Sequence, residues 1–250
     1  MGYIPLFLEV TGRRCVVIGS RAAAAGKVRM LSNAGASVVA ISGMPEMELA
    51  AALTLDGVRH LARRYQPGDL RDAALAFVEP QDPSDPAIIE QIVAEARERN
   101  IPINVIDTPE RCSFISPSII TQGRLQIAIS TSGASPAVAR MLREEFESHL
   151  APGFDLLLDV MEAARRHLRG ATRSTTQTTT IARELRARRL TALARSELRA
   201  WLASGDYAAS DALVSHHLGI GLAELGIGPD RLSAPRIVDD AATCGVSSVK

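Results

Sequence analysis

Between Arg14 and about Val105, short β-branched runs alternate with longer amphipathic ones, the rhythm that strands and crossover helices of a parallel sheet impose on a chain. Cys15-Val16-Val17-Ile18 reads as a first strand, Ala22–Asn33 as a helix closed by Ala34-Gly35, and Ser37–Ile41 as a second strand. Residues 58–63, 74–78 and 103–106 follow as further strands, with a helix over 86–99 between the last two. These units predict a Rossmann-like α/β domain over residues 1–112.

After Asp107 the pattern changes. Residues 114–120 and 125–130 read as two consecutive apolar strands separated by Gln122-Gly123, and Pro136 opens a helix that runs to about His149. Two strands and one helix make too small a core to stand alone, so residues 113–150 are expected to pair with a second copy in a homodimer. Beyond Ala151-Pro152-Gly153 the apolar spacing is helical over 154–168, 181–202 and 208–225, which defines a C-terminal helical domain over 151–233. The run Thr175-Thr176-Gln177-Thr178-Thr179-Thr180 reads as a loop and 234–250 as a loose tail. The fold class expected is therefore α/β: a Rossmann-like parallel sheet domain, then a small α+β dimerisation domain, then a helical domain.

Composition adds little to the fold but narrows the function. A chain of 250 residues that is 46% hydrophobic can bury a real core, and its formal net charge of zero argues against a dedicated nucleic-acid binder. Charge is nonetheless concentrated, with ten arginines against three glutamates between Val160 and Ala200. That stretch is either a solvated helical face or a surface that meets a polyanionic small molecule. Cys15, Cys112 and Cys244 are odd in number and lack CxxC spacing, so neither a disulfide framework nor a zinc site is expected. The opening Tyr3-Ile4-Pro5-Leu6-Phe7-Leu8 has no basic region before it and no small-residue cleavage site after it, and no apolar stretch is long enough to span a bilayer. A cytoplasmic protein without a membrane role is the expectation.

Two places carry candidate chemistry. The first strand ends in Gly19-Ser20-Arg21, where a dinucleotide-binding fingerprint would stand: one glycine for the tight turn, a second for close approach of the pyrophosphate, and a helix N-terminus facing the anion. Only the first glycine is present, Arg21 takes the second position, and Ala24 is a tolerable third. The second strand ends in Ser42-Gly43 instead of an acid that would clamp a ribose. By itself this partial match fits a nucleotide loop and a plain strand-to-helix turn equally. The second place is Asp107, where a buried strand breaks into Thr108-Pro109. Its side chain either caps the strand end as an Asx-turn or serves as a general base. Ser135 and Pro136 form a helix start, cap and first position. Arg111, Arg124, Arg140 and Arg143 are candidate partners for carboxylates, and Cys112 a small packing residue. His216-His217 is an adjacent pair whose side chains point apart on a helix, which suits a solvated or capping role better than a metal.

Taken in order, several segments resemble the precorrin-2 dehydrogenases, which also occur as part of siroheme synthase and as a bifunctional dehydrogenase and ferrochelatase. These are Tyr3-Ile4-Pro5-Leu6-Phe7-Leu8, Lys27, Ala34-Gly35-Ala36, Arg64-Tyr65-Gln66-Pro67-Gly68-Asp69-Leu70, the Asp107 segment, and Ser130-Thr131-Ser132-Gly133-Ala134-Ser135-Pro136 with Ala139-Arg140-Met141-Leu142-Arg143. They cover residues 1 to about 150.

The resemblance implies NAD-dependent oxidation of precorrin-2 to sirohydrochlorin, in some members followed by insertion of ferrous iron, by a dimer with exchanged elements. It implies that Asp107 is catalytic. It implies cofactor contacts at Gly19, Ser20, Arg21, Ala22, Ala23, Ser42, Gly43, Met44 and Pro80. It implies tetrapyrrole contacts at Ser113, Ser116, Ser118, Thr131, Ser132, Gly133, Ser135 and Arg140, with no metal ligands. The chain departs from the family pattern twice, at Gly19-Ser20-Arg21 and at Glu79-Pro80-Gln81, where the family has a run of glycines and Ala-Thr-Asp/Asn. Both departures lie on the nucleotide side. They motivate an alternative expectation, a relative without dinucleotide binding that serves as a tetrapyrrole-binding protein or chelatase.

Overall fold

The computed structural model describes residues 2–80, 86–150, 152–173 and 180–233. Gln81, residues 175–179 of the threonine-rich run, Cys244 and the expected tail over 234–250 lie outside the described residues. The described contacts divide the chain into two units, one running to Ser116 with Ser132–Ala134 added, the other comprising Pro117–Thr131 and the described residues from Ser135 to Ser233.

The first unit is an α/β sheet domain. Its strands are β1 (Arg14–Ile18), β2 (Ser37–Ile41), β3 (Val58–Leu61), β4 (Leu75–Val78) and β5 (Ile103–Val105), all parallel, in the order β3-β2-β1-β4-β5. Helices α1 (Ala22–Asn33), α2 (Met47–Ala52) and α3 (Pro86–Glu98) connect them. Side chains alternate across the sheet, yet both faces are apolar because both are covered, as parallel sheets require. Val16, Ile18, Val39, Ile41, Ala76, Val78, Ile103 and Val105 pack with Ile89, Ile92, Val93 and Ala96 of α3. On the opposite face Cys15, Val17, Val38, Ala40 and Phe77 pack with Ala24, Ala25, Val28 and Leu31 of α1 and Leu49 and Ala52 of α2. The sheet matches the expected one; the short α2 was not expected from the sequence.

A buried carboxylate ties the β3–β4 connection to α3. Glu95 accepts hydrogen bonds from the Tyr65 hydroxyl, from the backbone N–H of Gly68 at 2.9 Å and of Leu70 at 3.2 Å, and from Arg99 Nε at 2.9 Å. Burial alone would raise its pKa, but these donors together hold it below the ordinary carboxylate value. Burial and the neighbouring carboxylate push the Tyr65 hydroxyl well up. Asn100, at φ 54°, closes α3 in the left-handed conformation that asparagine tolerates.

The segment expected as a strand over 114–120 begins later than its apolar pattern suggests. Residues 112–114 instead seal the open edge of β5. Ser113 donates its N–H to the Ile103 carbonyl at 2.8 Å and accepts the Ile103 N–H on Oγ at 2.8 Å, and Asn104 Nδ2 donates to the Phe114 carbonyl at 2.9 Å. The Val105 N–H finds Cys112 Sγ at 3.2 Å. Side chains thus satisfy an edge that a further backbone ladder would otherwise cover.

In the second unit β6 (Ser118–Gln122) and β7 (Leu125–Ile129) form an antiparallel hairpin. Its two-residue turn is Gly123-Arg124, and Gly123, at φ 56°, is the residue type that a turn with positive φ at its first central position demands. Helix α4 (Pro136–His149) follows, capped by Ser135 Oγ accepting the Val138 N–H at 3.2 Å with Pro136 at the first helical position, as expected. Helices α5 (Phe154–Arg173), α6 (Thr180–Ala194), α7 (Leu198–Ser204), α8 (Tyr207–Leu218) and α9 (Asp230–Ser233) complete the unit around Leu156, Val160, Ala164, Leu193, Leu198, Leu202, Val214 and Leu222.

One helix read as continuous is divided and another ends early. The stretch 181–202 breaks because Ser196 Oγ donates to the Leu193 carbonyl at 2.6 Å and accepts the Leu198 N–H at 3.3 Å, offering the backbone a local alternative to the helix. The stretch 208–225 ends at Leu218 because Gly219, at φ 80°, takes the left-handed terminating conformation.

Candidate active site

In an open parallel sheet the crevice lies beyond the carboxyl ends of the strands, where strand order reverses. Here that point is between β1 and β4, whose register pairs Ile18 with Val78, so the residue after each strand lies beside the other. Those residues are Gly19 and Glu79, and the Glu79 N–H donates to the Ile18 carbonyl at 2.7 Å.

Glu79 is 5% exposed and lies on the glycine loop. Its Oε2 accepts the backbone N–H of Ser20 at 3.1 Å and of Arg21 at 2.8 Å. Arg21 has no capping side chain for α1, so this carboxylate supplies the anion that the helix N-terminus attracts. The Arg21 guanidinium folds back over it, donating to the Pro80 carbonyl at 2.6 Å with Nε 3.7 Å from Glu79 Oε1. Gly19 makes the arrangement fit, because a Cβ there would stand 2.9 Å from both Glu79 Cβ and Oε2 and 2.5 Å from Ala24 Cβ. Ser42 is fully buried, its Oγ 2.9 Å from Ser20 Oγ, while Ala22, Gly43 and Met44 are exposed and Ala23 is half-buried. Of the expected cofactor residues, Gly19, Ser20, Arg21, Ser42 and Pro80 are linked through these contacts.

Asp107 is two residues past β5 on the same sheet edge. It is exposed, adopts φ 58°, and its carboxylate takes no hydrogen bond or ion pair from any described residue. The Asx-turn reading is therefore not what is observed; the turn is closed by backbone, Thr108 N–H to the Val105 carbonyl at 3.1 Å. Aspartate is among the few non-glycine residues that enter the left-handed region at modest cost, on the order of 1 kcal/mol. Beside it, burial pushes the Cys112 thiol up, which suits a packing residue and not a nucleophile.

The other expected residues divide by what their side chains already do. The Ser113 hydroxyl is bonded to the Ile103 backbone. Ser116 Oγ accepts from Lys27 Nζ at 2.8 Å, and the same ammonium lies 5.0 Å from the centroid of the Phe77 ring, which meets Phe114 edge-on. In the second unit Ser118 opens β6 opposite Ile129, and Thr131 Oγ1 brackets the Ser135 backbone, accepting its N–H and donating to its carbonyl at 3.1 Å each. Ser132 and Gly133 form a turn at φ 55° and 84°. Arg111 is paired with Glu90, Arg124 with Glu162 and Asp159, and Arg143 with Glu147 and Glu144. Among these four arginines only Arg140, exposed, is bonded to no described residue. His216 and His217 meet edge-on at 5.1 Å, and among the described residues no group of three or more ligating side chains is placed to hold a metal ion.

The contacts of Glu79 were not expected from the sequence, where the residue stands only as a departure from a pattern. The signal was available: an acid directly after a buried strand that neighbours the loop strand is delivered to that loop by the sheet order.

The fold and this edge define the class as a dinucleotide-binding-type α/β domain joined to a hairpin-and-helix module. Residues 6–118 match the NAD(P)-binding family model, and residues 122–149 match the model for the central part of sirohaem biosynthesis proteins. Over these residues the chain is similar to siroheme synthases. It is 40% identical over 149 residues to the siroheme synthase of Methylobacillus flagellatus, covering 59% of this chain and 31% of that one. It is 37% identical over 166 residues to the siroheme synthase of Thioalkalivibrio sulfidiphilus, covering 66% of this chain and 33% of that one. The chain thus spans about a third of the length of these curated relatives. The solved structure of SirC, precorrin-2 dehydrogenase, has the same fold, with a TM-score of 0.63 at 17% identity over 86% of this chain and 98% of that one. No described helix is long and apolar enough to cross a membrane.

The geometry also tests the cofactor. The backbone N–H groups that would face a pyrophosphate are held by Glu79, so the residues as they stand do not fit a dinucleotide without rearrangement.

Proposed function

We propose that the chain is an enzyme of siroheme biosynthesis that oxidises precorrin-2 to sirohydrochlorin, with NAD as the hydride acceptor and Asp107 as the base. Removing two hydrogens from a reduced tetrapyrrole demands that a proton leave as well, and a carboxylate not already engaged is the group for it. The observation that carries this reading is Asp107: bonded to no described residue, exposed and held at positive φ on the carboxyl edge of the sheet, in a chain similar to siroheme synthases. Asp107 takes the proton; in the second unit Arg140, bonded to no described residue, is a candidate partner for a tetrapyrrole carboxylate. Among the residues that the resemblance gives to the tetrapyrrole, Ser116, Ser132 and Gly133 are exposed in the first unit, the Ser116 hydroxyl already accepting from Lys27, and Ser118, Thr131 and Ser135 are half-buried in the second. Ser113 contributes through its position beside β5, its hydroxyl being engaged.

The same reading makes residues 113–150 a dimerisation domain of a cytoplasmic homodimer. It is supported by apolar side chains left open on β6 and α4, with Ile119, Val138, Met141 and Phe146 between 38% and 54% exposed.

A second reading is favoured by the Glu79 contact: a relative that binds the tetrapyrrole, or inserts metal into it, without a dinucleotide. Incubating the protein with precorrin-2 and following absorbance with NAD, with NADP, with neither, and with ferrous iron separates the two. NAD-dependent conversion is expected. Tetrapyrrole binding or metal insertion with no effect of either dinucleotide would replace the first reading by the second.

A further inference from the structure

We infer that Glu79 is an intramolecular occupant of the dinucleotide loop, a carboxylate that stands where a cofactor phosphate would, so that cofactor affinity in this chain is set by its expulsion. The inference rests on the NAD(P)-binding reading of residues 6–118 and adds the residue that regulates that site.

Four observations meet here. The Ser20 and Arg21 N–H groups converge on a single oxygen, Glu79 Oε2, in the manner in which loop amides receive a phosphate oxygen. The carboxylate is buried, and a buried charge persists only when paired; these two amides and the Arg21 guanidinium are its partners. Arg21, in the place of the fingerprint's second glycine, turns onto Glu79 and Pro80 and covers the loop. Gly19 leaves the space that the Glu79 side chain fills. A pyrophosphate and Glu79 cannot share the same two amides, and both are anions. Binding therefore requires Glu79 to rotate out, which also releases the Arg21 guanidinium to meet the incoming phosphate.

A Glu79 that stayed in place while a dinucleotide bound elsewhere would leave affinity unchanged on its removal, and this distinguishes the two roles. NAD and NADP are titrated calorimetrically into the full chain and into Glu79→Ala and Glu79→Gln, each checked for folding by circular dichroism. The expected result is a gain in affinity for at least one dinucleotide of about tenfold or more in Glu79→Ala, the equivalent of one lost competing charged contact. Glu79→Gln, which keeps the shape and removes the charge, moves in the same direction and remains informative if the alanine variant does not fold. Unchanged or weaker binding in the folded variants overturns the inference while leaving NAD-dependent turnover by the unaltered protein intact. Binding by the variants alone supports it and removes NAD from the proposed reaction. Failure of all three proteins to bind either dinucleotide overturns both.

Discussion

Two carboxylates follow neighbouring strands of one sheet, Glu79 after β4 and Asp107 after β5, and they are in opposite states. Glu79 is buried and accepts from two amides, with a guanidinium folded over it, whereas Asp107 is exposed and bonded to no described group. The same residue chemistry on the same sheet edge thus closes one part of the cleft and leaves the other open. The difference comes from the neighbours. β4 adjoins β1, whose loop ends in a helix N-terminus that attracts an anion, while β5 is the edge strand and its next segment seals it with Ser113 and Cys112.

The strongest way to break this contrast is Asp107→Asn. Asparagine enters the left-handed region as readily as aspartate, so folding is retained, but on the proposed function turnover of precorrin-2 falls by about 10²–10⁴-fold, the usual contribution of a general base. Near-normal conversion in an absorbance assay would remove Asp107 from the mechanism. Gly19→Ala attacks the closed side: the added methyl meets Glu79 and Ala24, and thermal or urea unfolding should show a loss of about 1–3 kcal/mol. An unchanged midpoint would mean that the loop, Ala24 included, shifts to accept a side chain without cost.

A third carboxylate, Glu95, sharpens the distinction between structural and available acids. Its folded pKa is depressed, so the stability it contributes is fully present above its ordinary value of 4.5 and is lost as pH falls through the lowered folded value. Glu95→Gln presents an amide N–H₂ to groups that are all donors; it should lose about 1–2 kcal/mol at neutral pH and flatten the decline in stability below about pH 4.5. An acid limb in urea titrations as steep as that of the unaltered protein would assign the pH dependence elsewhere. The smallest effect is expected of Asp107→Gly. Relief of left-handed strain and the added freedom of glycine in the unfolded chain oppose one another, leaving stability within about 1 kcal/mol while activity is lost. A variant destabilised by several kcal/mol would show that Asp107 holds the fold as well.

Much of the sheet domain was legible because its signals are local. The runs 15–18 and 37–41 are strands, α1 has the expected bounds, and Ser135 caps α4. The site was legible as a set of segments but not as a set of engaged and available groups. Ser113 and Ser116 read as substrate hydroxyls, yet one is bonded to the Ile103 backbone and the other to Lys27, partners 10 and 89 residues away. Of four candidate arginines, three are paired with acids, Arg111 and Arg124 across 21 and 38 positions and Arg143 with Glu147 at the i,i+4 spacing of a helix. The apolar pattern of residues 114–120 suggested a strand because burial against Phe77 and strand pairing leave the same hydrophobic trace in a sequence.

The sequence by itself determined the period of the elements, the parallel sheet, the caps of α4 and the place of Asp107 at a strand end, because each follows from residues within a few positions of one another. Only the tertiary structure decided that Glu79 occupies the glycine loop and that Asp107 is bonded to no described residue. Both depend on strand order, which brings residue 79 beside residue 19 across 59 intervening positions of register and leaves β5 at the edge. A carboxylate's state is set by the donors that surround it in space, and those donors arrive from other strands.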